Sequence, residues 1–126
     1  MSNRRVLVVD DEAHIRRIIK LKLEDRGMRV EEARDGEQAL AAIERAAPDV
    51  LVLDIMMPKL DGISLLRQLR GDPRWAKLPV IMLTAVRERD DMAKADELGV
   101  FAYVRKPFRT DELCELVERA AAQPAP

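Results

Sequence analysis

The chain has 126 residues, 48% hydrophobic and 36% charged, which suits one globular domain and excludes both a disordered segment and two ordinary domains. Its 22 basic and 23 acidic residues nearly cancel to a net charge of -1, so the basic excess of a nucleic-acid surface is missing. One cysteine, Cys114, excludes an internal disulfide, and no apolar run approaches the ~20 residues of a membrane span.

Met1 to Arg5 leads into a short apolar run ending in two aspartates, wrongly bounded for a secretory signal, so the cytoplasm is the expected compartment. Val6 to Val9 reads as a strand buried on both faces, because every position is apolar. From Glu12 to Arg26, Ile15, Ile18, Ile19 and Leu23 fall on one helical stripe, and Gly27 is a suitable stop. Met28 to Ala33 mixes apolar and charged residues as an edge strand does, and Asp35-Gly36 turns into a second helix with Ala39, Leu40 and Ile43 inward. Val50 to Leu53 is another fully apolar strand, ending on Asp54, and a third helix carries Ile63, Leu66 and Leu69. A loop with Pro73, Trp75 and Pro79 precedes the strand Val80 to Leu83, which ends on Thr84. The fourth helix, around Met92, Ala95 and Leu98, closes at Gly99, after the solvated charge run Arg87 to Asp91. Phe101 to Val104 is the last strand, running out at Lys106-Pro107. Thr110 is a good N-cap for the final helix, with Asp111 and Glu112 set favourably against its dipole and Leu113, Leu116 and Val117 inward. Cys114 lies within that periodicity as a core or half-buried thiol.

Alternating strands and helices predict an α/β fold: a doubly wound, five-stranded parallel sheet flanked by five helices, strand order 2-1-3-4-5, flavodoxin-like. Residues 1–122 form the domain, and 123–126 are a Pro/Ala tail or the start of a linker. That order puts a topological switch point between the first and third strands, and ligands bind such sheets beyond the carboxyl ends of the strands. Asp10-Asp11, Asp54, Thr84 and Lys106 all stand at those ends.

Three close carboxylates repel one another unless a cation compensates. Magnesium, or manganese in its place, suits an all-oxygen site, whereas zinc would want His or Cys ligands that are missing here. Asp10 and Asp11 can then be reserved for the metal, leaving Asp54 exposed at the loop edge as a nucleophile towards phosphorus. Lys106 would stabilise charge developing on the phosphoryl oxygens, and the Thr84 hydroxyl would donate to one of them. Taken singly, Asp10-Asp11 reads as an N-cap pair, Asp54 as loop solvation and Lys106 as a surface lysine; their convergence favours the chemistry.

Val-Val-Asp10-Asp11, Asp54-Ile-Met-Met-Pro58 with Asp61-Gly62, Leu83-Thr84-Ala85 and Lys106-Pro107-Phe108, in this order and spacing, resemble the receiver domain of two-component response regulators from Arg5 to about Ala122. The resemblance implies that Asp54 accepts phosphate from a histidine kinase or a histidine phosphotransfer protein. It implies magnesium on Asp11, Asp54 and the Met56 backbone carbonyl, with Asp10 acting largely through water. Lys106 and the backbone of Ala85 would contact the phosphoryl group, the Lys106-Pro107 bond would be cis, and Thr84 with Tyr103 would form the switch. Val86 lies where the family tunes attack by water; being apolar, it cannot orient one, so slow hydrolysis is expected. Partners would be the phosphodonor and a downstream target or output domain, without direct nucleic-acid or membrane binding, as monomer or phosphorylation-dependent dimer. The surface expected to change comprises the last two helices and the last strand.

His14, one turn into the first helix, reads as an exposed residue near the docking face. Phe101-Ala102 replaces the acidic pair that many receivers carry there, which argues against the charged dimer of receivers with winged-helix outputs. An exposed Phe101 would instead offer an apolar contact. No enzyme activity is expected beyond self-catalysed aspartyl phosphorylation and dephosphorylation. A haloacid-dehalogenase-like phosphohydrolase would want an acid where Met56 stands, and a flavodoxin-like cofactor binder would not place three acids after its first strand. A degenerate receiver would lack an acid or the lysine. A stand-alone regulator or relay is preferred over a receiver cut from a longer regulator with a C-terminal output domain.

Overall fold

The computed structural model describes residues 4–57, 60–85 and 89–122, with only the backbone of 89–91. The chain alternates β1 (Arg5–Val9), α1 (Ala13–Asp25), β2 (Arg29–Ala33), α2 (Gly36–Arg45), β3 (Val50–Asp54), α3 (Gly62–Arg70), β4 (Val80–Thr84), α4 (Arg89–Glu97), β5 (Ala102–Arg105) and α5 (Thr110–Ala121). The five strands are all parallel in the order β2-β1-β3-β4-β5, the doubly wound arrangement expected from the sequence. No helix among the described residues is long and apolar enough to cross a membrane.

The period-2 side-chain alternation of the central strands feeds two separate cores. Leu7, Val9, Leu51, Leu53, Val80 and Met82 point to the face covered by α2, α3 and α4, with Leu65, Leu66 and Leu69. Val6, Val8, Val50, Val52, Ile81 and Leu83 point to the opposite face, against Ile19 and Leu23 of α1 and Leu113, Cys114 and Val117 of α5. This two-sided burial is why β1, β3 and β4 read as unbroken apolar runs, while edge strand β2 does not.

Several local expectations need correction. Ile18 is 42% exposed, off the buried stripe, because it lies about 100° round the helix from Ile19. Leu40, Leu116 and Met92 are half-buried rather than fully inward. Thr110 is not the N-cap of α5: Arg109 holds that position in extended conformation, no side chain caps the helix, and Asp111 and Glu112 in the first turn answer the dipole. β5 begins one residue later than expected, although the Phe101 amide still donates to the Val80 carbonyl. Asp35 does cap α2, accepting from the Gln38 amide at 2.8 Å, and Trp75 packs on the α2–α4 core. Pro58, Val86, Arg87, Glu88 and the tail 123–126 lie outside the described residues.

Candidate functional site

Sheet register assembles the site. Val9 pairs with Leu53, so Asp10 and Asp54, the next residues of adjacent parallel strands, emerge side by side. Asp54 pairs with Leu83, which places Thr84 one step beyond it on the other side. The Lys106 amide donates to the Thr84 carbonyl at 2.9 Å, extending the ladder past β5 and bringing the lysine to the same edge. Behind Asp54 the chain returns tightly: the Gly62 amide donates to the Ile55 carbonyl at 2.9 Å, and a Cβ on Gly62 would lie 2.3 Å from the Asp54 carbonyl oxygen. Asp61 caps α3 by accepting from the Ser64 amide.

Asp10, Asp54 and Thr84 are buried, Asp54 at 3% rather than exposed at the loop edge as expected, whereas Asp11 and Glu12 are exposed. The Lys106 ammonium holds the acids together, 2.8 Å from Asp10 Oδ2, 3.5 Å from Asp54 Oδ2 and 3.3 Å from Glu12 Oε1. Burial works against its charge, but Asp10 and Asp54 outweigh that and hold its pKa above the usual value. Burial, and then the Asp10 carboxylate, push Asp54 up to about 6, with Lys106 and the Met56 amide pulling the other way. The Met56 amide donates to Asp54 Oδ1 at 3.2 Å, and the Glu12 amide to Asp10 Oδ1 at 2.9 Å. Asp10 Oδ2 is fully buried, and among the described residues its partner is the Lys106 ammonium, in an ion pair.

A buried carboxylate oxygen met by an ion pair alone fits a hard cation. Carboxylate oxygens of Asp10, Asp11 and Glu12 all lie within 4.8 Å of one another, an all-oxygen donor set with Asp54 beside it. Glu12 is the member that sequence reasoning left out of the metal set, although the Asp-Asp-Glu run was its signal. Met56 is 60% exposed, at the mouth of the site.

The remaining candidates stand around this centre. The Lys106–Pro107 peptide bond is cis. Ala85 is exposed next to the buried Thr84. Tyr103, half-buried on the α4 face, donates its hydroxyl to the Met92 carbonyl; burial and then Asp96 push the phenol up to about 12. His14 is exposed, 3.7 Å from Glu12 Oε2. Phe101 is half-buried against the α1/α5 core, so only part of its ring is open to a partner.

A family model described as the response regulator receiver domain matches residues 6–118. Among curated proteins, the chain is 44% identical to a probable transcriptional regulator, ycf27, of Porphyridium aerugineum over 90% of this chain and 46% of that protein. It is also 44% identical to the chemotaxis protein CheY of Pseudomonas aeruginosa, over 91% of this chain and 94% of that one. The chain spans under half the length of the first three relatives, 46%, 43% and 46%. Among solved structures, the receiver domain of the Francisella response regulator 1452 is 40% identical with a TM-score of 0.86, covering 94% of this chain and 97% of that one.

Proposed function

Because the chain belongs to the response regulator receiver domain family of two-component signalling, we propose that it works as a switch thrown by phosphorylation of Asp54. The observation that carries this reading is the Lys106 ammonium set between Asp10 and Asp54, 2.8 Å and 3.5 Å from their oxygens, at the open edge of the sheet. With a pKa of about 6, Asp54 is mostly ionised at neutral pH and therefore nucleophilic.

A phosphohistidine on a histidine kinase or phosphotransfer protein is the donor. An Asp54 oxygen forms the new bond to phosphorus, the phosphorus–nitrogen bond breaks, and the leaving imidazole takes up a proton. Lys106 follows the charge onto the phosphoryl oxygens, while the Thr84 hydroxyl and the Ala85 amide receive one of them. Magnesium, or manganese in its place, is held by Asp10, Asp11, Asp54 and the Met56 carbonyl, with Glu12 at the rim, and supplies positive charge to the transferring group. Val86 tunes hydrolysis, and its apolar side chain makes the phosphoryl group long-lived.

Thr84 and Tyr103 transmit the event: as the hydroxyl moves towards phosphate, the ring turns inward and alters the surface of α4, β5 and α5. The readers of that surface are a downstream protein or an output domain, in the cytoplasm, with His14 and the open part of Phe101 as separate partner contacts at opposite ends of the sheet. Residues 1–122 are the receiver unit. The direct test is intact mass after acetyl phosphate and magnesium. Wild type gains one phosphoryl group and Asp54→Asn gains none; equal labelling of the variant would overturn the reading.

A further inference from the structure

Building on that reading of Tyr103 as a switch, we propose that Arg70 is its positioning residue: the guanidinium pins the carboxyl-terminal end of α4 and makes it the pivot about which the amino-terminal end moves. The need for a pin follows from packing. Of the described side chains on α4, Ala95 alone is buried and Met92 is half-buried, as is Leu98 just past its end. A helix with so little apolar burial depends on polar ties.

Among the described residues two such ties hold it, and they differ in kind. Tyr103 gives a single hydroxyl bond to the Met92 carbonyl, from a side chain that must swing if the switch works as proposed. Arg70 gives two, Nε to the Leu98 carbonyl at 2.6 Å and Nη2 to the Gly99 carbonyl at 3.1 Å, while its Nη1 holds the Trp75 carbonyl of the loop after α3 at 3.0 Å. No carboxylate pairs with Arg70 among the described residues, so its charge is met by carbonyl dipoles at the negative end of α4. Gly99, with φ +73°, turns the chain there as few other residues could. Arg70 itself ends α3, which buries Leu65, Leu66 and Leu69 and does not move easily. Loss of the Tyr103 bond therefore frees the Met92 end and leaves residues 98–99, and the Trp75 loop on the same guanidinium, in place. A lysine, a point charge without the fork, cannot replace it.

Amide hydrogen exchange on the full chain tests this without phosphate. Arg70→Gln is expected to speed exchange about tenfold at Leu98, Gly99 and Val100, leaving Asp96 unchanged. Tyr103→Phe should do the reverse, and Arg70→Lys should not restore protection. Both ends loosening together in either variant, or faster exchange throughout β3, would reduce Arg70 to ordinary stabilisation and overturn the pivot. In a second arm, wild type phosphorylated to completion by mass should show faster exchange at residues 92–96 but not at 98–100; equal change at both ends also overturns it. Failure of Asp54 to take phosphate would instead overturn the switch, while the first arm still decides Arg70.

Discussion

At Asp54, burial and the Asp10 carboxylate raise the pKa to about 6, and Lys106 and the Met56 amide only partly offset them. The folded carboxyl keeps its proton up to about that pH, whereas an unfolded one releases it near 3.8. The native state therefore binds more protons across this window, stability falls as pH rises through it, and the cost is fully present above it. Without metal, Asp54→Asn removes the buried charge and should stabilise the chelator-treated protein by about 2 kcal/mol at about pH 8, with the gain vanishing by about pH 3. Urea unfolding of both proteins at the two pH values is the measurement, and a variant less stable at the higher pH would contradict the argument. Adding magnesium should narrow the difference, since a cation compensates the charge that the asparagine removes.

Among the elements, the β3–α3 connection sets the geometry around Asp54. Gly62 lets the start of α3 lie against the backbone of Asp54 and Ile55: a Cβ there would meet the Asp54 oxygen at 2.3 Å and the Ile55 Cα at 2.9 Å. Both are backbone atoms and cannot step aside as a flexible side chain would. Gly62→Ala should therefore cost about 2 kcal/mol and slow labelling of Asp54 by acetyl phosphate, because the strand end must shift. An unchanged melting temperature with unchanged labelling would show that the loop yields at no cost. α4 is the opposite kind of element: among its described side chains Ala95 alone is buried, and its described polar ties come from Tyr103 and Arg70.

For the whole molecule, the sheet separates two cores that share strands but not side chains, with α2, α3 and α4 on one face and α1 and α5 on the other. Leu66, fully buried in the first, is expected to cost about 3 kcal/mol on truncation to alanine, read from denaturant unfolding. A loss below about 1 kcal/mol would mean that this layer collapses around the cavity. The sequence by itself determined the strands, their order and the four strand-end positions, because buried parallel strands must be apolar throughout and their polar residues stand out at the ends. It also pointed to the acids and the lysine as one group. Only the tertiary structure decided which helix faces are buried, as Ile18 shows, since a stripe of four isoleucines and leucines does not say where its centre lies. The same holds for Arg70 on the carbonyls after α4: those contacts join residues far apart in the chain, and local periodicity carries no trace of them.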